Sequence, residues 1–231
     1  MFIEMDFSNI FSDFFDLFFP KVCLHCNNNL CEKNELLCKS CLAELTKLSR
    51  ADLKDASLRK CSVQNHIKNL FSLYKYSKDS PIQTLIHELK YQNKFNVAKE
   101  LGEKIATEFF NDFTELDLDL IVPVPLHKVK KAERGYNQSH FISKGISRII
   151  GVKANDNVLI RNIFTPSQTK LNKIEREENV ENAFKLKKKT DCKNVLLVDD
   201  VITTGATINS CAKLLTEIGI NNIYAASIAL A

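Results

Sequence analysis

At 231 residues the chain holds one large domain or two small ones, and 45% hydrophobic with 26% charged residues is the balance of a soluble globular protein. That is too apolar for a disordered chain, and no run of 18 uncharged apolar residues is present to form a membrane-spanning helix. Thirty-two Lys and Arg against 28 Asp and Glu leave a net charge of +4, so any affinity for nucleic acid has to come from local patches.

The first element is rich in phenylalanine. Phe7, Phe11, Phe14, Phe15 and Phe18 recur at helical spacing, with Asp13 and Asp16 on another side, and Pro20 ends the run. Residues 1–22 therefore read as a helix, docked on its own protein or facing a partner or membrane. Its acidic side argues against anionic lipid. Glu4, Asp6, Asp13 and Asp16 interrupt the apolar run and no basic segment precedes it, so it does not read as a secretory signal. The expected location is the cytoplasm.

Eight cysteines are unevenly placed, five of them between Cys23 and Cys41. Cys23, Cys26, Cys38 and Cys41 form C-x2-C-x11-C-x2-C, in which each tight turn presents two thiolates to one ion and two turns complete a tetrahedron. In a reducing compartment this spacing predicts a structural zinc module over residues 23–61, closed by four protein ligands and without catalytic water. A redox pair is the competing reading, but it needs a βαβ context that is missing here. His25 and Cys31 read as spectators, and Cys61 with His66 supplies only two ligands of any second site.

A short helix and a connector follow over residues 45–68. Leu70–Tyr76 reads as a strand. Ser80-Pro81 starts a helix carrying Ile82, Leu85, Ile86 and Leu89, and a second helix carries Val97, Leu101 and Ile105. Ile121–Val124 reads as a buried strand, Glu133–Ile150 as a helix, Val158–Ile160 as a strand and 161–182 as a polar loop. Val195–Val198 is a strand, a helix with Ile208, Cys211, Ala212, Leu215 and Ile218 on one face runs to Gly219, and Ile223–Ala229 closes the chain. That alternation predicts an α/β fold, a parallel sheet with flanking helices over 70–231.

The most informative stretch is Val195-Leu-Leu-Val-Asp-Asp-Val-Ile-Thr-Thr-Gly-Ala-Thr207. A strand runs into Asp199 and Asp200, then a Thr/Gly loop (Thr203, Thr204, Gly205), then a helix beginning near Ala206 and Thr207. Backbone N–H groups and hydroxyls at a helix N-terminus suit a phosphate. Two neighbouring carboxylates accept hydrogen bonds from a vicinal diol or help to hold Mg2+. Together they describe a ribose 5-phosphate. A capping role explains one Asp or Thr, but not two acids followed by three Thr around a Gly.

This stretch resembles the phosphoribosyl pyrophosphate (PRPP) signature of type I phosphoribosyltransferases, and nearly the whole chain is similar to the ComF/ComFC competence family. The similarity rests on the cysteine ribbon behind a Phe-rich helix, Leu89-Lys-Tyr91, Val122-Pro-Val-Pro-Leu126, Arg134-Gly-Tyr-Asn-Gln138, and Thr165-Pro-Ser-Gln168 followed by Arg176, Asn179 and Ala183-Phe184. Where relatives often carry a fuller second set of cysteines, only Cys61 stands here. The resemblance implies a type I phosphoribosyltransferase fold, helices 80–110 as a hood, and a role in DNA uptake on single-stranded DNA. It implies that Asp199 and Asp200 meet the ribose hydroxyls and that Thr203 to Thr207 hold the 5-phosphate. Pro125 and Leu126 begin the pyrophosphate loop, Arg176 stabilises pyrophosphate charge, and Mg2+ accompanies PRPP. His127 and His140 lie near these segments, but neither stands out as a general base, so binding without turnover stays open.

Residues 120–148 carry Lys128, Lys130, Lys131, Arg134, Lys144 and Arg148 against one acid, Glu133, and Lys185, Lys187, Lys188 and Lys189 form a second cluster. Either these are solvated faces, or they bind DNA with Tyr136 stacking on a base. Two functions follow. One is a DNA-uptake protein that binds single-stranded DNA and PRPP, with other uptake proteins as further partners. The other is a transferase of nucleotide metabolism whose hood stacks a nucleobase-like acceptor on Tyr91 or Phe95.

Overall fold

The computed structural model describes residues 22–30, 36–61, 66–91, 94–163 and 183–231. The Phe-rich segment, Cys31, the Thr165–Gln168 motif, Arg176 and Asn179 lie outside the described residues. The elements are α1 Lys39–Ala43, α2 Arg50–Cys61, β1 Asn69–Lys75, α3 Pro81–Tyr91, α4 Phe95–Glu108, α5 Phe110–Glu115 and β2 Leu120–Pro123. They continue with α6 Lys128–Arg134, α7 Gln138–Ile150, β3 Leu159–Arg161, β4 Phe184–Leu186, β5 Asn194–Ile202, α8 Ala206–Glu217 and β6 Asn222–Leu230.

Four strands form a parallel sheet in the order β1-β6-β5-β2. Its apolar runs are continuous because both faces are buried. Leu196 and Val198 of β5 join Phe71, Ile121 and Ala226 in a core under α3, α4 and α7, whereas Val195 and Leu197 join Val122 and Ile223 in a second core under α8. Each outer strand is sealed by a neighbouring segment. Leu48 N–H donates to Leu73 O (3.1 Å) and Lys75 N–H to Thr46 O (2.9 Å) along β1, and Ile121 N–H donates to Lys153 O (2.9 Å) along β2.

Two expectations are corrected. The predicted strand at Val158–Ile160 does not join the sheet: β3 pairs antiparallel with β4 as a separate ribbon. The helix predicted over Glu133–Ile150 is two helices, because Gly135 takes φ +78 and stops α6 in the left-handed conformation that favours glycine. Leu89 of α3 and Ala98, Leu101 and Ile105 of α4, the helices expected to form a hood, lie in the first core.

Helices α4 and α7 touch through two glycines. A Cβ on Gly102 would stand 2.1 Å from Ile142 O, and one on Gly145 would stand 2.0 Å from Lys99 O. Alanine gains about 1 kcal/mol over glycine in an open helix, but here the backbones must part. Gly102→Ala is expected to destabilise the protein by about 3 kcal/mol, in the manner of an overpacked core. Urea unfolding reads this as a lowered midpoint, and an unchanged midpoint refutes the close contact.

Candidate functional site

The cysteine module is closed by its own backbone. Cys23 N–H donates to Asn28 O (2.8 Å), Asn27 N–H to Cys23 O (3.0 Å) and Leu24 N–H to Leu36 O (3.1 Å). These turns bring the sulfurs of Cys23, Cys26, Cys38 and Cys41 within 4.8 Å of one another, all four as free thiols. Four soft donors at this separation fit a tetrahedral thiophilic ion. The Ser40 hydroxyl and then the Cys41 N–H pull the Cys38 thiol down to about 6, while burial pushes the Cys41 thiol up. His25 is no ligand here: its Nδ1 lies 2.8 Å from the Thr84 hydroxyl of α3. Cys61 is buried in the second core.

The acid pair is built on β5. The strand expected to end at Val198 runs on to Ile202, so Asp199 and Asp200 lie within it, and Asp199 pairs in register with Ser227. Asp199 Oδ1 accepts from the Ser139 hydroxyl (3.0 Å) and from Asp200 N–H (2.9 Å). Burial, and then the neighbouring charge of Asp200, push its carboxyl up to about 7. Asp200 faces Lys90, whose ammonium lies 3.4 Å from Oδ2. The Thr203–Gly205 loop follows, Gly205 at φ +85 caps α8 without a side-chain bond, and Thr204 Oγ1 accepts from Ala206 N–H (3.3 Å). Asp199, Thr203, Thr204, Gly205, Ala206 and Thr207 line one small hollow at this junction. A helix N-terminus opening there favours an anion.

Adjacent strand ends bring a second loop to the same edge. Val124 N–H donates to Val198 O (2.9 Å), so Pro125 and Leu126 leave β2 beside the acids. They open a cleft of about 890 Å³, also lined by Lys128, Lys131, His140, Phe141, Arg161 and Lys187. That volume is in the range of small-molecule sites. His127 has a local task, its Nδ1 accepting Val129 N–H (3.3 Å) at the start of α6. Burial holds His140 below its ordinary pKa against the pull of Asp156, 3.3 Å away.

The Arg134–Gln138 motif turns out to be a clamp. Tyr136 OH (2.5 Å) and Gln138 Nε2 (3.0 Å) both donate to Leu89 O at the end of α3, and Asn137 Nδ2 donates to Val124 O (3.0 Å). Carbonyls at a helix end lack partners within the helix, and holding Leu89 O sets Lys90 against Asp200. Tyr136 is therefore not available to stack on a base: the residue is 7% exposed and its ring packs edge-on to Phe141 at 5.4 Å. Lys130, expected on the DNA face, is half-buried, with Arg161, Arg134 and Lys90 acting on its charge. Lys128 and Lys131 are exposed. The reading from sequence gave no role to Lys90, Ser139 or Arg161. Lys90 lies inside the Leu89-Lys-Tyr91 triplet and Ser139 directly follows Gln138, but only the fold carries either to the acids.

A parallel sheet that gathers an acid pair and a Thr/Gly loop at its strand ends, together with a cluster of four cysteines, defines an α/β protein with a candidate anion site and a candidate metal site. Its relatives are specific. It is 30% identical to Competence protein F of Haemophilus influenzae, over 89% of this chain and 95% of that protein. The DNA utilization protein YhgH of Escherichia coli K12 is 33% identical over 60% of this chain and 63% of its own length. Competence protein ComFC of Bacillus subtilis is 28% identical over 82% of each. The chain belongs to the ComF competence-protein family. No protein-family model matches it. Two solved structures overlap it in part. One is the allosteric regulatory enzyme of purine biosynthesis, at a TM-score of 0.42 and 19% identity, covering 62% of this chain and 30% of that one. The other is a hypoxanthine phosphoribosyltransferase from Staphylococcus aureus, at a TM-score of 0.35 and 12% identity, covering 56% of this chain and 61% of that one.

Proposed function

We propose that the protein acts in DNA uptake, holding PRPP at the β5–α8 junction and single-stranded DNA along the neighbouring basic cleft. The names of its relatives, competence and DNA utilization, support the process. The observation that carries the ligand is the acid pair directly before the anion loop, with Lys90 beside Asp200 and the Arg161 charge acting with Asp199. Acids for ribose hydroxyls, N–H groups for a 5-phosphate and cations for pyrophosphate suit the three parts of PRPP. Among the described residues no third His, Cys, Asp or Glu joins the acid pair to hold a metal ion. Mg2+ bound together with PRPP would lower the charge of the pyrophosphate leaving group, and Asp199 and Asp200 are the neighbouring carboxylates that would help to hold it. The four thiolates hold one structural zinc. Among the described residues no helix is long and apolar enough to cross a membrane.

The DNA face is Lys128 and Lys131 on α6, with Phe141, half-buried in the cleft, taking the stacking role expected of Tyr136. Titrating PRPP–Mg2+ and a single-stranded oligonucleotide against one preparation tests both halves. Replacing Lys128 and Lys131 with Ala is expected to weaken oligonucleotide binding and flatten its salt dependence by about 1.4 in log–log slope, two contacts at about 0.7 each. Unchanged slope and affinity would mean that α6 presents only a solvated face. Pyrophosphate release by the wild type would make the protein a transferase, and binding without release would make it a sensor.

A further inference from the structure

We propose that Phe95, on the first turn of α4, is a base-stacking platform for single-stranded DNA just outside the cleft, with Lys144 meeting the adjoining phosphate. The assignment rests on the reading of the cleft as the path of a single strand. Its geometry follows from how the two helices meet. A Cβ on Gly145 of α7 would stand 2.0 Å from Lys99 O of α4. Phe95 and Phe141 each lie about one helical turn before that contact. The crossing therefore sets their rings against each other, with centroids 5.4 Å apart. At that separation the rings touch, so no base fits between them and a base meets Phe95 from its open side. Phe95 is 46% exposed and belongs to neither core, whereas Phe141 packs half-buried against the first core and lines the cleft.

A single exposed apolar residue is ordinary on a protein surface. This one is not single: Phe141 also packs edge-on to Tyr136 at 5.4 Å and to His140 at 5.2 Å, which makes a cluster of four rings. Lysines stand around it. The Lys144 ammonium lies over the Phe141 ring, 5.5 Å from its centroid, and Lys131 and Lys144 both act on His140. Both lysines are exposed, and among the described residues no carboxylate forms an ion pair with either. The neighbouring acids are engaged elsewhere: Glu88 with Lys94 at 2.5 Å, Glu100 with Lys104 at 3.3 Å, Glu103 with Arg148 at 2.9 Å and Asp156 with His140 at 3.3 Å. An open ring beside ammonium groups that lack a counter-charge suits a strand with free bases and an anionic backbone. Duplex DNA offers the phosphates but keeps its base faces stacked inside, and an apolar protein segment would meet the ring but leave the lysines without partners.

The test titrates the full-length protein with oligo(dT) and with an abasic deoxyribose-phosphate oligomer of the same length. Phe95→Ala is expected to weaken oligo(dT) binding about five- to a hundredfold, the loss of one stacked base. Its salt dependence is expected to keep the wild-type slope, because no charge is removed, whereas Lys144→Gln flattens the log–log slope by about 0.7. Phe95→Tyr is expected to bind within a few-fold of wild type and Phe95→Leu as weakly as Phe95→Ala, which separates stacking from apolar cover. The chain contains no tryptophan, so Phe95→Trp supplies a single reporter: oligo(dT) is expected to quench its emission, and the abasic oligomer is not. Wild-type affinity in Phe95→Ala, or unmoved emission of Phe95→Trp under saturating oligo(dT), would overturn the assignment and leave the cleft reading standing. Failure of the wild type to bind oligo(dT) would overturn both. If Phe95→Ala does not fold, by circular dichroism, the quenching of Phe95→Trp decides.

Discussion

Replacing Cys23 with Ser is expected to release the metal and unfold the N-terminal module. One equivalent of zinc per chain should be found by metal analysis of reduced wild type, and none in the variant. The magnitude is large because binding energy and folding energy are the same quantity in such a module: about 10–16 kcal/mol for structural zinc in small peptides. Residues 22–30 and 36–43 contain one short helix and one isolated bridge, Val22 with Asn29. Their burial depends on the four sulfurs meeting, since Cys23, Leu37 and Cys41 enter the same core as Leu73, Tyr74 and Ile82. The damage should therefore spread to β1 and α3 and lower the melting temperature of the whole chain. Metal-free wild type with the same melting curve and intact binding would reject the zinc module.

Removing the acid pair is expected to cost two or more decades of PRPP affinity. Each lost charge-assisted hydrogen bond is worth about 1.5–3 kcal/mol, and about 1.4 kcal/mol is tenfold. Because Asp199 is buried among hydrogen bonds, Asn is the cleaner replacement there: its carbonyl can still accept from Ser139 and from Asp200 N–H. Calorimetry on Asp199→Asn combined with Asp200→Ala reads the loss, and affinity equal to wild type would mean that the acids serve only the fold. A pH signature accompanies it. The folded-state pKa of Asp199 is raised to about 7 from 3.8, so the folded protein holds a proton that the unfolded chain has released between those values. Stability from this group is full below about pH 4 and is lost as pH rises to about 7, by up to about 4 kcal/mol at about 1.4 kcal/mol per unit. Asp199→Asn should flatten that slope and raise the neutral-pH melting temperature. PRPP binding should run the other way, tightening as pH rises through about 7 and ionised Asp199 becomes available to ribose hydroxyls.

Patterns that are local in the chain could be read before the fold was known. The C-x2-C pairs needed only two tight turns, and the apolar run at Val195–Val198 needed only a sheet buried on both faces. Lys90 and Ser139 were not legible as site residues, because their roles depend on α3 and α7 meeting over β5. Tyr136 misled for a related reason: an aromatic among basic residues looks exposed on paper, but Gly135 turns the chain and drives the ring under Leu89 O. Asp199 and Asp200 were expected past the end of the strand. Acids disfavour strands when solvated, and pairing with β6 carries these two along with Val201 and Ile202. The strand near Val158–Ile160 was legible but its pairing was not, because the three residues of β4 give little pattern and 22 residues separate Arg161 from Phe184.

The bonds from Thr46 and Leu48 to β1 bear on how this protein can be cut. A fragment starting at Asn69 would keep all four sheet strands, yet it would bare the outer N–H of Lys75 and the outer carbonyl of Leu73 along an apolar strand. It would also uncover the surface on which Leu37 and Leu53 pack. Such an edge recruits other copies of itself. The small cysteine ribbon is thus not a detachable appendage, for the segment leading out of it is the selvedge that stops the sheet from fraying into aggregates.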